Sequence, residues 1–182
     1  MLVERCEMEP DFFVRDTLTW ALTRHDPALT VKLVLPQLRS ESAQARSQAL
    51  HTLSKIGDAE TWAAITVDLL HDADVEVARA AWRTAAGLVP QSHEVELAQE
   101  LARELGRGDR ETQRSLSRAF AVLGTAAESV IEEAARSANR AVSAHAVATL
   151  AIMADPDEGF DAAIAEAKRV VALRGAPTVA EQ

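Results

Sequence analysis

In the stretch Glu41 to Gly57, ESAQARSQALHTLSKIG, the residues Ala45, Ala49, Leu53 and Ile56 stand four, four and three positions apart, with polar residues between them. That spacing lays an apolar set along one face of a helix, and the Gly closes it. The pattern recurs in four further windows, beginning near Asp11, Asp74, Asp109 and Asn139, with Val14, Ala78, Thr112 and Val142 where the first stretch has Ala45. The next residue of each window forms a column, Arg15, Arg46, Arg79, Gln113 and Ser143, at intervals of 31, 33, 34 and 30 residues. Three and seven places beyond each column member come Leu18 and Leu22, Ala49 and Leu53, Trp82 and Ala86, Leu116 and Phe120, and Ala146 and Leu150. Each window, a B helix below, therefore keeps one apolar face.

Start signals predict a second set of helices between these. Asp26 followed by Pro27 reads as an N-cap with Pro at the first helical position and opens a helix to Leu38. Asp58 opens residues 59–70, and Ser92 opens 93–105. Thr125 with Glu128 forms a capping box for a helix to Arg136, and Asp155, Pro156 and Glu158 form another for a helix to Leu173. The short segment Leu2 to Met8 precedes the first B helix. Gly57 and Gly124 end B helices, and Gly106 with Gly108 ends one of the second set. Alternation of the two sets predicts an all-α chain of about five helix pairs plus a closing helix. It is read as a single domain over 1–174, with a frayed tail at 175–182, GAPTVAEQ.

Composition agrees with that picture. The 182 residues are 48% hydrophobic with 7 Gly, 6 Pro and no Tyr, enough apolar content for one continuous helical core. Lys32, Lys55 and Lys168 are the only Lys among 19 Lys plus Arg, a bias that suggests a GC-rich bacterial genome. The start, MLVERCEMEP, lacks the basic and apolar regions of a signal peptide, and nowhere do 18 apolar residues run together. A cytoplasmic protein without membrane contact is expected. Cys6, the single cysteine, excludes an intramolecular disulfide and a thiolate metal cluster.

A net charge of −9 works against nucleic acid or an anionic membrane as partner. Its distribution is uneven. The five B windows together carry +3, so the rest of the chain carries −12. Acids in these windows sit mainly at helix starts, where the macrodipole favours them, while Arg15, Arg24, Arg46, Lys55, Arg79, Arg83, Arg114 and Arg118 occupy the helix bodies.

The run VKLVLPQLRSESAQARSQALHTLSKIG resembles a HEAT repeat, of the short HEAT-like kind found in the phycobilisome lyase group. It has an apolar helix with an internal Pro36, a polar turn, then small-Arg-x-x-Ala-x-x-x-Leu. The resemblance covers Leu2 to Leu173, departs from the pattern at Gln113 and Ser143, and lacks the Trp, Tyr and Pro landmarks of tetratricopeptide repeats. It implies an α/α superhelix, a HEAT-like solenoid with the B helices on the concave face.

Arg15, Arg46 and Arg79 have two readings. As a structural ladder they reach turn carboxylates of their own or neighbouring repeats; as ligands they hold an anion. Groove-facing candidates lie one, two, four and five places after the column: Asp16, Trp20, His51, Arg83, Arg114, Arg118 and His145. An aromatic beside Arg and His is the composition of a binding hot spot. Trp62 and Trp82 fall at apolar spacing and are expected in the core.

No catalytic constellation, metal site or cofactor motif emerges. The five His are scattered, and of the His-Glu pairs that HEAT-like deoxyhypusine hydroxylases use, only His93-Glu94 has a counterpart. HEAT-like alkylpurine DNA glycosylases need aromatic and acidic groups in a cationic groove, and Trp20 with Asp16 supplies little of that. The leading expectation is a non-catalytic scaffold holding an acidic segment of a partner protein. The alternatives are a nucleic-acid binder or repair glycosylase, and a lyase-like prosthetic-group chaperone. The flank of the first B helix, Phe12 and Phe13 included, is expected to be poorly covered and to invite homodimerisation through the N-terminal repeat.

Overall fold

The computed structural model describes residues 2–155 and 159–174. All regular structure among them is helical. The B windows form α2 (Phe12–Thr23), α4 (Ala43–Ile56), α6 (Val75–Leu88), α8 (Arg110–Leu123) and α10 (Arg140–Ala154). Between and around them run α1 (Leu2–Met8), α3 (Pro27–Val34), α5 (Val67–Leu70), α7 (Glu94–Ala102), α9 (Thr125–Ala134) and α11 (Phe160–Arg174).

Every B helix starts on a side-chain cap. Asp11, Ser42, Asp74, Asp109 and Asn139 each accept backbone N–H bonds from the first turn that follows. Such a cap contributes about 1 kcal/mol. Gly57 ends α4 at φ 73°, a left-handed conformation that a side chain resists.

The intervening set is more broken than its start signals predict. After Asp26 caps α3, the helix tightens to a 3-10 turn at Leu35–Arg39, where Pro36 removes a backbone donor. Residues 59–70 are a 3-10 segment, Ala59–Ala64, then extended backbone at Ile65 and the single turn α5. The β-branched run Ile65, Thr66, Val67 disfavours one continuous helix there. Ser92 lies within a 3-10 turn, Gln91–His93, where its Oγ meets His93 Nδ1 at 2.9 Å rather than capping. Gly124 occupies the N-cap of α9 with no side-chain cap bond, so Thr125 is already helical. Pro156 and Glu158 of the second capping box, and the tail at 175–182, lie outside the described residues.

Contacts along the chain gather into two compact units, Met1–Leu97 and Ala98–Gln182, dividing within α7. In the first, α4 is central and packs against α1, α2, α3 and α6. Leu50, Leu53, Val77 and Trp82 are fully enclosed, and the Trp82 indole N–H donates to the Leu70 carbonyl at 2.8 Å. Trp62 is half-buried rather than part of that core. In the second, α10 is central, packed against α8, α9 and α11. Ala144, Ala148 and Ile152 of α10 meet Phe160, Ala163, Ile164, Ala167 and Val171 of α11. Each fully buried Leu, Ile or Phe stabilises its unit by about 2 kcal/mol.

Candidate functional site

The column residues position the starts of the B helices. The side chain of a helical residue leans back toward its N-terminus, so a long polar one reaches the preceding turn. Arg15 Nη1 donates to the carbonyls of Glu9 and Pro10 at 2.8 and 2.7 Å. Arg46 Nη1 donates to those of Ser40 and Glu41 at 2.9 and 3.0 Å. Arg46 also spans to the next turn, with Nε and Nη2 2.9 and 3.1 Å from the two carboxylate oxygens of Asp72. Both side chains are largely shielded, at 18% and 12% exposed. Arg79 stands five residues after its cap, not four, and its Nη1 pairs instead with Glu76 at 2.9 Å. In the second unit Gln113 and Ser143 reach turn carbonyls as neutral donors. Gln44, two residues before Arg46 and outside the repeated column, clamps the end of α1 through the carbonyls of Cys6, Glu7 and Glu9.

With the helix starts so fixed, the exposed sides of α2, α4 and α6 enclose a groove of about 490 Å³. Phe12, Arg15 and Asp16 of α2, Ser47, Gln48 and His51 of α4, and Glu76, Arg79 and Arg83 of α6 line it. A second recess of about 290 Å³ shares His51 and Arg83 and adds Ser54, Lys55, Thr84 and Leu88. The two make one trough.

Its charges divide by whether they are already engaged. Asp74 caps α6, Glu76 pairs with Arg79, and Asp16 Oδ1 lies 3.4 Å from His51 Nε2. Arg15 is held by turn carbonyls. Among the described residues, Arg83 and Lys55 take part in no hydrogen bond or ion pair, and the recess that holds them contains no carboxylate. Partial burial and the neighbouring charge of Arg79 push the Arg83 guanidinium below its usual value, against the opposing pull of Glu76. Burial, then the charge of Arg83, lowers the His51 pKa, while the bond to Asp16 acts the other way. His51 is therefore neutral at neutral pH. The trough thus has one end where acidic groups are already engaged and another where two cations take part in no hydrogen bond or ion pair among the described residues.

No protein-family model matches this chain, and no curated protein matches it.

Of the seven groove candidates, the structure brings Asp16, His51 and Arg83 together. Trp20 is 63% exposed but stands outside the trough, with the Arg24 guanidinium 5.3 Å from its ring centre. It lies on the side of α2 turned away from the buried Thr19 and Leu22. Arg114 and Arg118 are exposed on α8 of the second unit, Arg114 within 3.9 Å of Glu111.

His145 is not on a groove at all: it is fully buried. Because α8, α9 and α11 surround α10, a position outside the apolar stripe of other B helices is interior here. The Gly106 N–H donates to its Nδ1 at 3.0 Å, so the ring proton sits on Nε2. Nε2–H donates to the Gln113 carbonyl at 2.9 Å, with Ser117 Oγ at 3.1 Å. Thr149 Oγ1 donates to the His145 carbonyl, which leaves the Ser117 hydroxyl to donate to Thr149 at 2.7 Å. Burial lowers the His145 pKa to about 4, outweighing the bond to Gln113. Gly106 takes part because only Gly fits: at φ 85° a Cβ would stand 3.2 Å from the backbone of Ala141 and Val142.

Lys55, four residues after His51 and so on the same helical face, lines the trough beside Arg83 as that spacing predicts. Among the described residues, no group of three or more His, Cys, Asp or Glu is arranged to hold a metal ion. No helix among them is long and apolar enough to cross a membrane.

Proposed function

We propose that this chain is a HEAT-like binding module whose trough on α2, α4 and α6 holds an acidic segment of a partner protein. The pair Arg83 and Lys55, which take part in no hydrogen bond or ion pair among the described residues, carries the reading. A partner carboxylate at that end meets two cations still free to bond, in a recess partly shielded from solvent, where such a contact is stronger than on an open surface. Phe12, Ala80 and Leu88 give the segment apolar wall to lie against. Capped B helices and the ties from Arg15 and Arg46 to turn carbonyls support stacking of helix pairs as HEAT-like repeats stack.

The same trough disfavours nucleic acid. A phosphate backbone presents charge at every step, and Asp16, Asp74 and Glu76 would repel it along the larger part of the groove. A peptide with discrete acids avoids them.

The test is fluorescence anisotropy with a fluorescein-labelled peptide of mixed Glu and Leu. Reversing Arg83 and Lys55 to Glu is expected to weaken binding at least about tenfold without changing the helical circular dichroism. Retained affinity would contradict the assignment. Reversing Arg114 and Arg118, which do not line the trough, is the matched control and is expected to have the smaller effect.

A further inference from the structure

Ten large apolar side chains stand exposed among the described residues, and five of them, Met8 at the end of α1 and Phe12, Phe13, Val14 and Trp20 along α2, fall within residues 8–20. At helical spacing Phe13, Thr17, Trp20 and Arg24 share the strip of α2 opposite the buried Thr19 and Leu22. Phe12 flanks that strip, edge-on to Phe13 with ring centres 5.7 Å apart. A buried aromatic takes 150–250 Å² out of water, so rings at 62%, 79% and 63% exposed present roughly 400 Å² per molecule. Two such faces supply roughly half of the 1,600 Å² that a stable interface typically buries. Large patches of this kind mark interaction surfaces, and aromatic anchors carry most of an interface's energy.

Charge on the strip identifies the occupant. The caps of α2 differ in sign: Asp11 opens the helix and Arg24 closes it. A partner face that matches must run from basic to acidic along the same direction with two aromatics between. A second α2 laid antiparallel does so. It sets Phe13 of each copy against Trp20 of the other, Arg24 near the opposing Asp11, and Thr17 close to the two-fold axis. An isologous contact of this type needs one patch only, which must complement itself.

We infer that the outward face of α2 is a homodimer interface, closed by a second copy of this chain through antiparallel α2 packing. The interface uses the side of α2 away from the buried core and centres on Phe13, Thr17 and Trp20, none of which lines the trough; Phe12 alone borders both, so the double variant at Phe13 and Trp20 tests the dimer without touching the peptide site.

Light scattering across a dilution series tests it. The native chain is expected to pass from dimer to monomer on dilution. The exposed double variant Phe13→Glu with Trp20→Glu is expected to be monomeric throughout with unchanged circular dichroism. In the Thr17→Cys variant the new thiol is exposed while Cys6 is buried, and oxidation is expected to link two chains through residue 17. A native chain that is monomeric at every concentration would overturn the inference, and so would a double variant that remains dimeric. Dimers that Thr17→Cys fails to link would overturn the antiparallel register.

Discussion

Two units of one chain tie their helices together by opposite means. In the first, Arg46 links one turn to the next with charge, binding two carbonyls behind it and both oxygens of Asp72 ahead. In the second, Gln113 and Ser143 stand in that column, and a neutral His145 joins the Gly106 turn to α8 from inside the core. The difference teaches where each can host a ligand. A guanidinium tie lies near the surface and leaves a polar trough open beside it. An imidazole tie is buried and consumes its own polar groups, so nothing in that network is left for a partner.

The comparison breaks most readily at His145. His145→Ala leaves the Gly106 N–H unpaired beside a cavity and removes the second bond to the Gln113 carbonyl, a combination expected to cost about 3 kcal/mol in urea unfolding. The neutral network also makes stability depend on pH in a defined direction. With the folded pKa depressed to about 4 from 6.5 unfolded, the unfolded chain binds the extra proton first. The stability that His145 confers is therefore complete above pH 6.5 and is lost as pH falls toward 4, a loss of roughly 3 kcal/mol. Amide exchange should show residues around α10 opening before those around α4 on acidification. Equal loss in both units would erase the distinction.

Arg46 comes next. Arg46→Ala removes both guanidinium bonds to the shielded Asp72 carboxylate, which keeps the Asp74 N–H, and two bonds to turn carbonyls, and is expected to cost about 2 kcal/mol. Arg46→Lys, which cannot fork, recovers only part of it. A cost below about 0.5 kcal/mol, typical of surface pairs, would place the tie in solvent.

The smallest effect belongs to His51. Asp16 on α2, Lys55 on its own helix and Arg83 on α6 face it, and burial, then the charges of Arg83 and Lys55, lower its pKa against the pull of Asp16. A carboxylate seated at Arg83 offsets that repulsion, so binding should take up a proton. Affinity for the acidic peptide is expected to rise a few-fold between pH 7.5 and about 6, and His51→Gln should flatten the profile. A flat profile in the native chain would remove His51 from the contact.

The repeat unit was legible because periodic apolar positions and caps are local signals. Ala49, Leu53 and Trp82 lie in the core, and Asp11, Ser42, Asp74, Asp109 and Asn139 cap their helices. The intervening helices were less so, since Pro36 and the Ile65–Val67 run act against start signals that the sequence also contains. At the trough, offsets from the column located Asp16, His51 and Arg83 but placed Trp20 and His145 with them. Those offsets assume that every B helix has the same neighbours. Trp20 lies on a face of α2 that nothing in its own unit covers, and α10 is enclosed by three helices, so the offsets that reach the trough from α4, at His51 and Gln48, lead outward at Trp20 and inward at His145.

The most direct test of the trough is a backbone amide NMR titration with the Glu–Leu peptide. Shifts confined to residues lining the trough, centred on His51, Lys55 and Arg83 and weakened by salt, are the predicted result. A titration that leaves α4 and α6 unmoved while shifting α8 would contradict it.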